Sequence, residues 1–130
     1  MKKLVILGST GSIGTQSLDI AREYKGEFEI VALAAGRNHK LMEEQIREFK
    51  PRYAVMWDEE AAAALKAATA DTDVKILSGM EGLIEIASLE DYDILLTAVV
   101  GMIGIRPTIA GIKAGKTIAL ANKGRDDNGG

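Results

Sequence analysis

Short aliphatic runs alternate with amphipathic stretches along the whole chain. Leu4-Val5-Ile6-Leu7 has no polar alternation, as a strand covered on both faces requires. Ser12 to Tyr24 follows as a helix, with Ile13, Leu18, Ile20 and Ala21 expected on one face. Ile30 to Ala34 is the second strand candidate. Leu41, Ile46 and Phe49 then mark a charged surface helix that must end before Pro51, whose ring disfavours a helical residue ahead of it. Tyr53 to Trp57 reads as a third strand, and Glu59 to Ala68 as an alanine-rich helix of high intrinsic propensity. Trp57 and the methionines are expected in or beside the core. Val74 to Leu77, Asp93 to Ala98 and Thr117 to Ala121 supply three more strands, separated by helices near Met80 to Ser88 and Ile103 to Ala114. Strands repeating every about 20 residues with helices between them predict a parallel sheet with right-handed crossovers. The expected fold class is α/β, a doubly wound, mostly parallel, Rossmann-like domain over residues 1–123. Gly124 to Gly130 is polar and glycine-rich with nothing to bury, and is expected to be a flexible tail or an appended linker.

Composition narrows the function. At 130 residues and 47% hydrophobic, the chain has the size of one domain and enough apolar content to exclude disorder. Sixteen Lys and Arg against nineteen Asp and Glu leave a net charge of −3, which argues against a nucleic-acid partner. There is no Cys, so disulfides, thiolate zinc sites and cysteine nucleophiles are excluded together, and one His cannot form an imidazole cluster. No apolar run nears the ~18 residues of a membrane span, and the run after Lys3 is too short for the ~7–15 residues of a signal-peptide core. A soluble, cytoplasmic protein with no membrane partner is expected.

The chemistry concentrates where the first strand turns into the first helix. Gly8-Ser9-Thr10-Gly11-Ser12-Ile13-Gly14 has a strand before it and a helix after it, the context that gives a glycine pattern meaning. Gly8 permits the sharp turn, Gly11 lets backbone N–H groups approach a pyrophosphate, and Gly14 lets the helix pack against the sheet. Thr10 and Ser12 add hydroxyl donors. A tight turn without a ligand is the plainer alternative. At the end of the second strand, NAD-binding domains place a carboxylate for the adenosine ribose. Here Ala34-Ala35-Gly36-Arg37-Asn38 has none. Arg37 instead sets a planar cation where a ribose 2′-phosphate would lie, with Asn38 as a polar neighbour, which points to NADPH over NADH.

Other motifs carry less. Ala110 to Thr117 imitates a phosphate loop, but a helix precedes it and a strand follows, so Gly115 reads as a helix C-cap with Lys113 and Lys116 near the negative helix end. His39 reads as an exposed turn residue with no catalytic assignment. Glu43-Glu44 and Asp58-Glu59-Glu60 read as first-turn charges or solvated faces. Asp126-Asp127 lies in a tail without the preorganised geometry a metal needs. The Tyr-x-x-x-Lys pair of short-chain dehydrogenases is absent: Phe28, Trp57 and Leu96 stand four residues after the three tyrosines.

Taken together, Leu7 to Gly14, Leu18-Asp19, Ala32 to Asn38, Pro51 to Val55, Val99-Val100-Gly101 and Ala114 to Lys123 resemble the 1-deoxy-D-xylulose 5-phosphate reductoisomerase family. The resemblance implies an NADPH-dependent enzyme of non-mevalonate isoprenoid synthesis. Such an enzyme isomerises and reduces 1-deoxy-D-xylulose 5-phosphate to 2-C-methyl-D-erythritol 4-phosphate, as a homodimer using Mg²⁺ or Mn²⁺. It further implies that Thr10, Gly11, Ser12 and Ile13 bind the cofactor phosphates, and that Gly36, Arg37 and Asn38 take the 2′-phosphate end. Val99, Val100 and Gly101 would line the nicotinamide side, Asn122 would contact the cofactor, and Lys123 would reach the sugar phosphate substrate. The family continues Asn-Lys-Glu where this chain has Gly124, and its metal ligands, substrate-phosphate site and dimer surface lie in later domains. No catalytic or metal-ligating residue is therefore expected here, and no turnover by this chain alone. The alternative left open is a non-enzymatic nucleotide-binding regulatory module with a dinucleotide fold.

Overall fold

Runs of Val, Ile, Leu and Ala with no polar interruption become strands buried on both faces, and each amphipathic stretch between them becomes a helix laid on the sheet. The computed structural model describes residues 1–99 and 101–120. In chain order the elements are β1 (Lys2–Leu7), α1 (Ser12–Glu23), β2 (Phe28–Ala35), α2 (His39–Phe49), β3 (Tyr53–Met56), α3 (Glu59–Ala68), β4 (Lys75–Ser78), α4 (Gly79–Ala87) and β5 (Ile94–Thr97). A 3-10 turn (Gly101–Gly104), α5 (Ile105–Lys113) and β6 (Thr117–Leu120) complete the set. The strands form one sheet in the order β4-β3-β2-β1-β5-β6, and every neighbouring pair is parallel. From β1 the chain steps outward to β4, then returns to pair β5 with the free side of β1, Leu7 opposite Thr97. That reversal opens a crevice at the carboxyl ends of β1 and β5, where doubly wound sheets bind ligands.

Two apolar clusters sandwich the sheet. One joins Ile6, Leu33 and Met56 to Leu18 of α1, Met42 and Ile46 of α2 and Leu65 of α3. The other joins Val5, Leu7, Val31, Val55 and Leu95 to Leu83 and Ile86 of α4, with Tyr92 beside them. Val5, Ile6 and Leu7 are fully buried, so β1 anchors both layers, and each such side chain contributes about 1.5–3 kcal/mol of burial. The edge strands β4 and β6 are only half covered.

Several expectations need correction. Ile20 is 54% exposed. At about 100° per residue it lies far round α1 from Leu18, whereas Gly14, Leu18 and Ala21 share the buried stripe. Trp57 is 39% exposed, because the pairing of β3 ends at Met56 and the chain leaves the sheet one residue later. Met42 and Met56 are fully buried, but Met1 is exposed at the terminus. His39 is half-buried in the first turn of α2. Pro107 sits in the first turn of α5, where its missing N–H removes no helical bond. Gly115 ends α5 as expected: at φ +81° its N–H bonds the Ile112 carbonyl, and the Lys116 N–H bonds that of Gly111. The Lys116 ammonium leaves the helix end and donates to the Glu90 and Tyr92 carbonyls.

Candidate functional site

At the carboxyl end of β1 the backbone turns sharply. Gly8 has φ +89°, and a Cβ there would stand 3.0 Å from the Ala98 carbonyl carbon and 3.1 Å from the Val99 nitrogen. The loop is therefore pressed against the segment leaving β5, whose Ala98 N–H bonds the Leu7 carbonyl at 2.8 Å. On the other side, the N–H groups of Gly8 and Ser9 both donate to the Ala34 carbonyl of β2, at 2.7 and 2.9 Å. Three strand ends thus hold one loop. Gly14 closes the turn from below, since a Cβ on it would lie 2.0 Å from the Gly8 oxygen. Gly14 accordingly packs on the loop itself more directly than on the sheet.

The start of α1 is open. Gly11 is its N-cap with an extended backbone, no side chain caps it, and no acidic residue occupies its first turn. The first N–H to bond a helical carbonyl is that of Thr15, to Gly11 at 2.9 Å. The amides of Ser12, Ile13 and Gly14 have no such partner among the described residues, which leave the positive end of the helix dipole uncompensated. Thr10 and Ile13 are half-buried, and Gly11 and Ser12 are exposed. An anion at this point would meet backbone donors and the helix end together.

The second arm follows β2. Gly36 accepts the Asp58 N–H at 3.1 Å, and Arg37 accepts the His39 N–H at 2.7 Å through its carbonyl. Asn38 caps α2, its Oδ1 accepting the Leu41 N–H at 3.2 Å, so its amide nitrogen is the group left to meet a ligand. Arg37 is exposed and forms no ion pair among the described residues. Arg22, Arg47 and Arg52 are all engaged, with Asp19 and Glu48, Glu43 and Asp71, and Asp91 respectively. Val99 borders the same crevice, half-buried. Val100, Asn122, Lys123 and Gly124 lie outside the described residues.

One group escaped sequence reasoning. Gln45 of α2 is 5% exposed and donates from Nε2 to the Ser9 carbonyl at 2.9 Å. Its Oε1 is buried without a partner among the described residues. Ser9 is fully buried, with its hydroxyl facing Met42 Sδ. Gln45 therefore ties α2 to the glycine loop. The available signal was positional, since residues 42, 45, 46 and 49 share one helical face and a polar residue there needs a buried task.

The amino end of the sheet carries a groove of about 550 Å³ lined by Arg47, Lys50, Arg52, Asp71 and Asp73. It lies away from the glycine loop, and Arg47 holds the Asp71 carboxyl below the usual carboxylate range by a direct hydrogen bond. Among the described residues no group of three or more His, Asp or Glu could hold a metal ion. No helix among them is long and apolar enough to cross a membrane.

Residues 4–125 match the family model described as 1-deoxy-D-xylulose 5-phosphate reductoisomerase. The chain belongs to that family. It is 59% identical over 123 residues to the reductoisomerase of Agathobacter rectalis, covering 95% of this chain and 32% of that protein. It is 52% identical over 122 residues to that of Halothermothrix orenii, covering 94% and 32%. Among solved structures, the Zymomonas mobilis enzyme in complex with NADPH superposes with a TM-score of 0.87 at 34% identity, over 94% of this chain and 32% of that one. A DOX-P reductoisomerase in complex with NADPH, fosmidomycin and magnesium gives 0.89 at 40%, over 95% and 30%. The reductoisomerase-family chain thus spans about a third of the length of the relatives it matches. The doubly wound parallel fold expected from the sequence is the fold found.

Proposed function

We propose that this chain is the NADPH-binding part of a 1-deoxy-D-xylulose 5-phosphate reductoisomerase, acting in the conversion of that sugar phosphate to 2-C-methyl-D-erythritol 4-phosphate. The observation that carries the reading is the uncapped start of α1 behind a glycine loop too tight for side chains at Gly8 and Gly14. The loop fits a diphosphate: Thr10, Ser12 and Ile13 offer backbone N–H groups and two hydroxyls, Gly11 leaves the space for phosphate oxygens to reach them, and no acidic side chain lies in the helix's first turn. Gly36, Arg37 and the Asn38 amide face the phosphorylated ribose, and a guanidinium matches phosphate geometry with paired donors. Bound NADPH supplies a hydride for the reduction. Asn122 toward the cofactor and Lys123 toward the substrate rest on the family match alone, as does the homodimeric assembly. The boundary after Lys123 rests on the polar, glycine-rich composition of 124–130. The described residues offer no donor set for the magnesium seen in solved relatives, so no metal-dependent step is assigned to them.

The test is a calorimetric titration of the chain with NADPH and with NADH. NADPH binds more tightly, and Arg37→Asp weakens NADPH more than tenfold, about 1.5–3 kcal/mol of charge-assisted hydrogen bonding, while leaving NADH nearly unchanged. Equal affinity for both cofactors in the parent chain refutes the role of Arg37.

A further inference from the structure

We infer that Trp57 is the stacking platform for the adenine ring of the bound nucleotide, an inference that rests on the nucleotide site proposed above. Ala54, Val55 and Met56 of β3 are fully buried, and the next residue is an indole exposed to solvent. A lone exposed aromatic needs no explanation by itself; its attachment supplies one. The Trp57 N–H donates to the Ala35 carbonyl at 2.8 Å, and the Asp58 N–H donates to the Gly36 carbonyl at 3.1 Å. Residue 57 is thereby bonded to the backbone that leads directly into Arg37 and Asn38. Asp58 in turn caps α3, its Oδ2 accepting the Ala61 N–H at 2.9 Å, so both sides of the indole's backbone are fixed. The platform is preorganised, which limits the ordering entropy lost on binding.

Topology supplies the direction. The sheet order places β1, β2 and β3 side by side, with neighbouring strands about 4.8 Å apart. A dinucleotide whose diphosphate sits on the β1 loop and whose 2′-phosphate meets Arg37 has travelled from β1 to β2 along the carboxyl ends. Its adenine then reaches the end of β3, where Trp57 stands. Along β3, Tyr53 and Val55 face the cluster that includes Val99 at the reversal, and Ala54 and Met56 face the other. Position 57 itself stands one residue past the last paired position of β3, at the carboxyl end of the sheet where the crevice opens. An indole face and a guanidinium on adjacent loops form a pair of surfaces suited to a flat base bearing a phosphorylated ribose.

Trp57 is the sole tryptophan of the chain, so its emission reports on this position alone. The experiment titrates the chain with adenosine 2′,5′-bisphosphate and with NADPH, following tryptophan emission and binding heat in parallel. Both ligands quench the emission, and Trp57→Ala weakens adenosine 2′,5′-bisphosphate about tenfold without lowering the unfolding midpoint. Trp57→Phe restores most of the affinity. Binding heat with unchanged emission, together with full affinity in Trp57→Ala, overturns the inference and leaves the nucleotide site standing. Absence of binding heat from either ligand overturns the nucleotide site, and the inference with it.

Discussion

Replacing Gly14 with Ala tests whether the contact between loop and helix holds the candidate site together. A Cβ at this position would stand 2.0 Å from the Gly8 oxygen, 2.7 Å from Ser9 Cα and 2.8 Å from the Gly8 carbonyl carbon. All three are backbone atoms, so no side chain can rotate aside. Ordinary contact begins at 3.4 Å, so the first turn of α1 must retreat from the loop by about the difference between 3.4 and 2.0 Å. Alanine recovers ~1 kcal/mol of helix propensity over glycine. Overpacking a close contact costs ~1–3 kcal/mol, and an unyielding backbone places this case at the upper end. The net loss is about 2 kcal/mol, which lowers the melting temperature of a domain this size by about 6–10 °C. Gly11→Ala is the control. Gly11 has φ −79°, and its Cβ would meet nothing nearer than the Gly8 oxygen at 3.7 Å. That variant loses at most about 1 kcal/mol, because alanine is a poorer N-cap than glycine. Thermal unfolding followed by far-ultraviolet circular dichroism separates the two, and NADPH calorimetry adds a second axis. Gly14→Ala loses stability and binding together, whereas Gly11→Ala keeps its fold but binds more weakly, since its methyl intrudes where phosphate oxygens approach the N–H groups. A Gly14→Ala protein that melts with the parent, or two variants that melt alike, refutes the reasoning.

Four further outcomes follow from other contacts in the fold. Gln45→Leu strands the buried Ser9 carbonyl and lowers the urea midpoint by about 1 kcal/mol of stability. Gln45→Glu loses more at pH 8 than at pH 5, because a buried carboxyl has a raised pKa and only its protonated form can donate to that carbonyl. Burial pushes the Tyr92 phenol up to about 12, and its hydroxyl donates to the Ala87 carbonyl at 2.6 Å. The stability it contributes is complete below the unfolded value of 10.0 and is lost as pH rises from there toward 12. Urea midpoints measured from pH 9 to 12 fall in the parent and flatten in Tyr92→Phe, which starts lower by about 1 kcal/mol at neutral pH. Hydrogen bonds from Arg22, Arg47 and Arg52 hold Glu48, Asp71 and Asp91 below their ordinary pKa values. Their stabilisation is present at neutral pH and is lost as acid titrates these carboxyls through their lowered values. Because the pairs are exposed, 1 M salt flattens the acid limb of a midpoint-against-pH series.

The sheet was legible because burial on both faces leaves a strand no place for polar residues, and Leu4 to Leu7 shows this without ambiguity. Its order, with the reversal beside β1, is the arrangement expected of a doubly wound domain, and it places the glycine loop at the crevice. Residue type and helical or strand angle disagree at two positions. Ile20 is apolar but lies far round α1 from Leu18, and Trp57 is aromatic but stands one residue past the last paired position of β3. Gln45 was missed for the converse reason, being a polar residue on a buried helical face. The site depends on that residue in a way that no motif records. Within the loop, the N–H groups of Gly8 and Ser9 are satisfied by Ala34, the Ser9 carbonyl by Gln45, and the Gly8 carbonyl by the Gly11 N–H. With these groups satisfied internally, the amides that open α1 are the ones left for a ligand, on a backbone held by those bonds. An anion site of this kind needs donors that are free and also unable to find a partner within the protein. Glycine spacing announces the first condition, and the second is set by a glutamine in the next helix and by the strand on either side.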